Sequence, residues 1–365
     1  MSLPFGDLRA ITGATLTIDR GLDPMTDNVG DPWHRAANYP RVWMRTAHAL
    51  RLAQEATVPV ALVLFACFIA SLAILAPLAT SASDALVVYL FAVSPAALTA
   101  VERGKIEFVV LALVCSAMVV RRSWVRVTLL TVATLLKLFP VFALAALTLT
   151  RRRARWAGII ALALIGTWAY RARADLRMIQ STVPLDSRGA YGLSSLAMGI
   201  WHIVGGNRRV SWALAVLLSI GAGFAGWRLA RSNTSIDPLA SQISDARTVG
   251  LMLAWSIYIG SFVAASNYDY RLVFLLPALP SLNDLRQARA GTVSWTAVIG
   301  IATILLAMSE VPLTAAFGHT GTGINDIAKI ATIGTLTWAL TLASSHRVDA
   351  QQPIPNSTRR HTHAV

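Results

Sequence analysis

Five short stretches of this chain set charged and aromatic residues beside apolar segments. The first is FGDLRAITGATLTIDRGLDP (5–24), with Asp7, a run of small residues, and then Gly-x-x-Pro. A carboxylate beside a membrane exit could serve as general base on a hydroxyl; an aspartate capping a surface helix would read the same way. The second, GDPWHRAANYPRVW (30–43), packs Asp31, Trp33, His34, Arg35, Asn38, Tyr39 and Arg41 together. Aromatic faces suit sugar C–H surfaces and planar polar groups suit hydroxyls, although an interfacial aromatic and arginine belt has the same composition. His34 has no partner at metal-ligand spacing. The third is FAVSPAALTAVERGKIEFVV (91–110), in which Ser94-Pro95 interrupts one apolar segment and Glu102-Arg103-Gly104-Lys105 separates two. Charges so close to a bilayer pair or serve a site, and Gly104 also fits the corner of a tight turn. The fourth is TLLKLFPVFAL (134–144). Its Lys137 is one of only three lysines against 29 arginines. An unpaired mid-bilayer lysine costs roughly 3 kcal/mol on insertion scales. At a hairpin tip it would instead aim a point charge at a phosphate; pairing with a buried carboxylate is the alternative. The fifth, SNYDYRLVFLLPALP (266–280), holds Tyr268, Asp269 and Arg271, with a local Asp269–Arg271 pair expected.

The elements that must position these residues are membrane helices. The 365 residues are 55% hydrophobic and 14% charged, with mean hydropathy +0.57, which excludes an ordinary soluble domain. Apolar segments recur at 57–79, 85–101, 106–120, 125–150, 156–170, 210–230, 248–265, 271–283, 292–309 and 327–344. The fold class expected is therefore all-α, a polytopic transmembrane helical bundle with short or re-entrant helices. Alternating segments of about ten residues, the barrel signature, are not seen. Residues 1–56 read as an outer first loop with amphipathic helical pieces, 57–347 as the transmembrane domain, and 348–365 as a disordered cytoplasmic tail. STVPLDSRGAYGLSSLAMGIWH (181–202) reads as a lid-like outer loop. The net charge of +14 points to anionic membrane lipid rather than nucleic acid, because the arginines lie mainly between the apolar runs. Cys67 and Cys115 lie inside apolar runs and read as small packing residues.

The arginines at 121, 122 and 126 and those at 151, 152, 153 and 155 flank the 125–150 segment. Both clusters read as cytoplasmic. One straight helix of 26 residues would span about 39 Å and separate them, so a hairpin breaking at Lys137–Pro140 is expected. Alternation then puts 1–56, 102–105, 171–209, 266–270 and 310–326 outside. These outer parts carry about as many basic residues as the inner ones, as if holding something anionic.

The blocks in this order resemble polytopic glycosyltransferases of the GT-C superfamily, of the glycosyltransferase 87 type. The resemblance rests on Asp-Leu with Gly-x-x-Pro, Ser-Pro with Glu-Arg-Gly, Lys-Leu-Phe-Pro, and Asp-Tyr-Arg before a Leu-Pro run. It implies a polyprenyl-phosphate sugar donor, often mannosyl, and transfer on the outer face of the cell membrane to a lipid, glycan or protein acceptor. It makes Asp7 the base, with Asp31 as runner-up. Lys137, Arg103, Lys105 and Arg271 become the donor-phosphate cations. Trp33, Arg35, Asn38, Tyr39, Arg41, Glu102, Tyr268 and Asp269 are the sugar or acceptor contacts. No cofactor or metal site is expected, and dependence on a divalent cation stays open. The resemblance also implies a transmembrane helix ahead of Asp7, where only MSLPFG stands, so the expectation is a chain that starts late. A transporter or flippase with broken helices, or a non-catalytic membrane subunit, would share several of these features.

Overall fold

The computed structural model describes residues 4–182, 189–205, 207–232, 244–264, 267–288 and 291–349. The connector at 232–250, the loop at 181–202 and the tail from 348 fall partly outside these ranges. The chain is an all-α membrane bundle. Short helices α1 (Gly6–Thr12), α2 (Ala14–Asp19) and α3 (Arg41–Ala49) precede α4 (Thr57–Leu75). Next come α5 (Ala82–Ala92), α6 (Pro95–Glu102), α7 (Glu107–Val119), α8 (Ser123–Leu136), α9 (Val141–Thr150), α10 (Arg155–Arg171) and α11 (Arg173–Thr182). Strand β1 (Ala190–Tyr191) leads to α12 (Leu193–Val204), α13 (Arg208–Ser232) and α14 (Asp245–Ala264). Strand β2 (Asn267–Tyr268), a 3-10 helix (Asp269–Ala278), α15 (Leu279–Arg286), α16 (Gly291–Ala307), α17 (Glu310–Phe317) and α18 (His319–Asp349) complete the described fold.

Among the described residues, four helices are long and apolar enough to cross a bilayer, and six spans result if each bent pair counts as one. The segment read as 85–101 is such a pair: α5 and α6 meet at 49°. Ser94 explains the break. Its hydroxyl accepts from the Ala97 N–H at 3.3 Å, and Pro95 follows at the first helical position, so a new helix starts there. The 271–283 segment is not a straight span. It is the 3-10 helix followed by α15, with Leu272 through Leu276 and Leu279 wholly covered. Pro277 and Pro280 carry no N–H for a continuous α ladder, so the segment threads the core in two short pieces. By contrast α4, α10, α13 and α16 present rows of exposed apolar residues, such as Leu62, Ile69, Leu164, Leu217 and Ile299. Such faces suit lipid.

The 125–150 segment folds back on itself. Arg126 near the start of α8 and Arg151 just after α9 both reach the Asp245 carboxylate, at 2.9 and 2.8 Å. Helix α8 ends because Lys137 is extended (φ −155°, ψ 126°), and Pro140 then opens α9. The Leu136 carbonyl left over at the end of α8 accepts from the Trp43 indole at 2.8 Å, as a buried helix end requires. Trp43 lies on α3, so the first 56 residues are tied to the hairpin tip. The opposite tips gather elsewhere: Arg247 pairs with Asp284 at 2.7 Å, and Arg286 with Asp84 at 2.7 Å. The bundle thus has one end built from Asp84, Arg126, Arg151, Asp245 and Asp284, and another where the first loop meets the 102–105 turn.

Candidate functional site

Asp7 is placed by backbone bonds rather than by its own helix alone. The Phe5 N–H donates to the Glu102 carbonyl at 2.9 Å and the Asp7 N–H to the Arg103 carbonyl at 3.2 Å. Gly104 makes this approach possible. Its φ is +63°, and a Cβ there would sit 3.1 Å from the Cβ atoms of both Phe5 and Leu8. The Asp7 carboxylate is then met by Lys105 Nζ, by Arg35 Nη1 at 3.3 Å and by Arg103 Nη1 at 3.8 Å. Burial works to raise the pKa of Asp7, but Lys105, Arg103 and Arg35 prevail and hold it below the ordinary value. A lowered carboxylate pKa means that the ion pairs contribute fully above the unfolded value near 4 and are lost as pH falls through the folded one. The expected result is no loss of Asp7's interactions between pH 5 and 8. Thermal unfolding across that range should show no Asp7-dependent slope, judged against Asp7→Asn.

A second ion cluster surrounds Glu107, the first residue of α7. Lys137 Nζ lies 3.2 Å and Arg271 Nε 3.6 Å from Glu107 Oε1, and the Glu107 side chain is fully buried. Lys137 also lies 4.3 Å from the centre of the Tyr39 ring. Arg271 donates to Asn267 Oδ1 and stands 5.4 Å from the Phe139 ring centre. Asn267 and Arg271 are held by the antiparallel β1–β2 pair, in which Ala190 faces Tyr268 and Tyr191 faces Asn267. That pair is anchored from behind. Lys329 Nζ contacts Asp269 at 3.0 Å and Glu310 at 2.6 Å, and donates to the Ala190 carbonyl at 2.9 Å. Glu310 in turn accepts from the Gly189 N–H at 2.6 Å. The expected Asp269–Arg271 pair is therefore wrong: within two residues the chain sends Asp269 to Lys329 and Arg271 to Glu107.

One cavity of about 1020 Å³ joins the two clusters. Asp7, Arg35, Arg103, Lys105, Lys137 and Arg271 line one part, with Asn38, Tyr39 and Tyr268. Phe142, Leu176, Ile179, Trp212, Val263 and Ala264 line an apolar part. Among the described residues Asp7 is the only carboxylate that lines it. The remaining sequence candidates lie elsewhere. Asp31 is buried, with both oxygens bound by Arg35 at 2.9–3.0 Å, so it holds Arg35 rather than facing the cavity. Trp33 stacks under Arg35 at 4.6 Å, outside the lining. Arg41 bridges Asp23 at 2.8 Å and Asp175 at 2.7 Å, tying the first loop to α11. Glu102 is exposed and contributes its carbonyl, and Asp269 points toward Lys329. The aspartates at 19, 23 and 31 meet His48, Arg41 and Arg35 separately and do not converge.

A family model described as Glycosyltransferase family 87 matches residues 40–265, well over half the chain. The chain belongs to glycosyltransferase family 87. No curated protein and no solved structure matches it. This membrane glycosyltransferase carries Arg103, Lys105, Glu107 and Lys137 inside the matched region, whereas Asp7, Arg35, Tyr268 and Arg271 come from its two sides. Glu107, Asn267, Glu310 and Lys329 are not among the residues the sequence singles out, and Tyr270 enters there only as part of the Asp-Tyr-Arg motif. Two of them carried a signal, since Glu107 and Lys329 are ionisable residues inside apolar segments. Two expected outcomes follow from the packing. Gly104→Val forces a side chain into the Phe5–Leu8 contact at positive φ, and a shift of the Asp7 helix by about 1 Å should lower transferase activity on the order of a hundredfold. Normal membrane yield with full activity would contradict that. Lys329→Met strands two buried carboxylates and should destabilise the glycosyltransferase by about 3–5 kcal/mol, read as a lowered thermal midpoint in detergent.

Proposed function

We propose that this glycosyltransferase transfers a hexose or pentose, mannose foremost, from a polyprenyl-phosphate donor to a hydroxyl of a lipid, glycan or protein. The reaction takes place on the extracytoplasmic face of the cell membrane. The observation that carries this reading is a cavity that combines several cations, an apolar lining and, among the described residues, one carboxylate. A lipid-linked phosphate needs the first two features and a hydroxyl acceptor needs the third.

The acceptor oxygen attacks the anomeric carbon as its proton passes to Asp7. The bond from that carbon to the phosphate oxygen breaks, and its electron pair stays on the phosphate. The donor begins as a singly charged phosphodiester and leaves as a monoester that can carry two negative charges. Cations aimed at the growing charge stabilise the transition state more than the ground state. Lys137 and Arg271, with Lys105 and Arg103 nearer Asp7, fill that role. Asp7 paired with Lys105, Arg35 and Arg103 is a weak base. A phosphate that shares those cations makes it stronger, so proton transfer waits for the donor. Among the described residues Asp7 is the only lining carboxylate, which favours direct displacement with inversion over a covalent sugar intermediate.

The test is transfer of labelled sugar from polyprenyl-phosphate mannose to added lipid or peptide acceptors, using membranes that carry the protein. Labelled product is expected. Failure with every polyprenyl-phosphate hexose and pentose, together with transfer from a nucleotide sugar, would overturn the donor assignment.

A further inference from the structure

Glu107 occupies an unusual position. It lies at 0% relative exposure, with both carboxylate oxygens shut off from solvent. Yet cations from two separate parts of the chain stand beside one of its oxygens. Lys137 comes from the hairpin break at 3.2 Å and Arg271 from the start of the 3-10 helix at 3.6 Å. Both cations line the cavity and Glu107 does not. It sits behind them and leaves the cavity side of both cations to a ligand, with Arg271 also donating to Asn267 Oδ1.

The charges show what this does. Five cations line the cavity, Arg35, Arg103, Lys105, Lys137 and Arg271. Among the described residues three carboxylates contact them, Asp7, Asp31 and Glu107. Five less three leaves a surplus of two positive charges. Once Asp7 has released the proton taken from the acceptor, that surplus matches a phosphate monoester dianion, and it exceeds a phosphodiester by one. The cavity is thus balanced for the leaving group after the sugar has gone.

We propose that Glu107 is a positioning residue that spaces Lys137 and Arg271 for the phosphate and limits how tightly the monoester product is held. The idea rests on the donor reading above. Without the carboxylate the same cations would face the dianion with a surplus of three. Product would then bind more tightly and leave more slowly, and turnover would become limited by release.

The test uses the detergent-purified full chain and a single-chain alkyl phosphate monoester, with binding followed by calorimetry. Wild type is expected to bind it, and Glu107→Gln to bind it about tenfold more tightly or better, as removal of a buried counter-charge implies. With a donor substrate, KM and kcat should both fall in this variant, whereas a merely structural lesion would raise KM. Equal or weaker monoester binding by a folded Glu107→Gln protein overturns the role of Glu107 and leaves the donor reading intact. Absence of binding by wild type overturns the phosphate site itself. Should Glu107→Gln not fold, Glu107→Asp keeps the charge but withdraws it by one methylene. A smaller tightening is then expected, and unchanged affinity in that variant overturns the proposal.

Discussion

Asp7→Asn is expected to lower sugar transfer by about a thousandfold, the scale of a lost general base, while donor binding is retained. The amide has the same shape as the carboxylate and can still accept from Lys105, so α1 should stay docked on the 102–105 turn. The variant removes one negative charge from a cavity that must hold an anion, so donor affinity should hold or rise. Lys105 loses its ion pair but remains 3.8 Å from the Tyr270 ring centre, which limits the structural cost. The comparison with Asp31→Asn is informative because Asp31 acts through Arg35. That change should weaken substrate binding more than turnover. Initial rates at saturating donor, with donor binding measured separately, decide the matter. Full kcat in Asp7→Asn would remove Asp7 as the base.

Lys137→Met should cost on the order of 10²–10³ in kcat, the typical effect of deleting one donor to a developing oxyanion. The same change leaves Glu107 buried with Arg271 at 3.6 Å and Lys105 farther off as its remaining cations, which should destabilise the fold by about 3 kcal/mol. The two effects separate in the double variant Lys137→Met with Glu107→Gln. Removing both charges should restore much of the thermal stability and none of the turnover. A double variant that recovers both would show that Lys137 serves only to neutralise Glu107.

The bundle and the hairpin were legible in the sequence because their signals are local. Apolar length marks a helix, and arginines on both flanks of 125–150 call for a fold-back, which Asp245 closes by holding Arg126 and Arg151. Lys137 and Asp7, which both line the cavity, stand out in the sequence because each is a charge in an apolar run or at its edge. The partners were not legible, because they come from distant parts of the chain. Asp269 and Arg271 are neighbours in sequence, yet the 3-10 geometry and the β1–β2 pair send them to different carboxyl and ammonium groups. Trp33 and Arg41 belong to an aromatic and basic stretch that suits sugar by composition. Its backbone, with His34 at φ 52°, turns Asn38 and Tyr39 toward the cavity and leaves Trp33 under Arg35. All three lysines are buried in ion pairs, Lys105 with Asp7, Lys137 with Glu107, and Lys329 with Asp269 and Glu310. The rarity of lysine in an arginine-rich chain is itself a pointer; it singles out Lys137 in the sequence and applies equally to Lys105 and Lys329.

The most direct measurement is an electron cryomicroscopy reconstruction of the protein in lipid nanodiscs with a bound polyprenyl phosphate. The phosphate is expected within about 3 Å of the Lys137 ammonium and the Arg271 guanidinium, its chain running along Phe142 and Trp212 and its free oxygens toward Asp7. Phosphate density outside this cavity, with Lys137 and Arg271 still closed on Glu107 alone, would contradict the assignment of the cavity as the donor site.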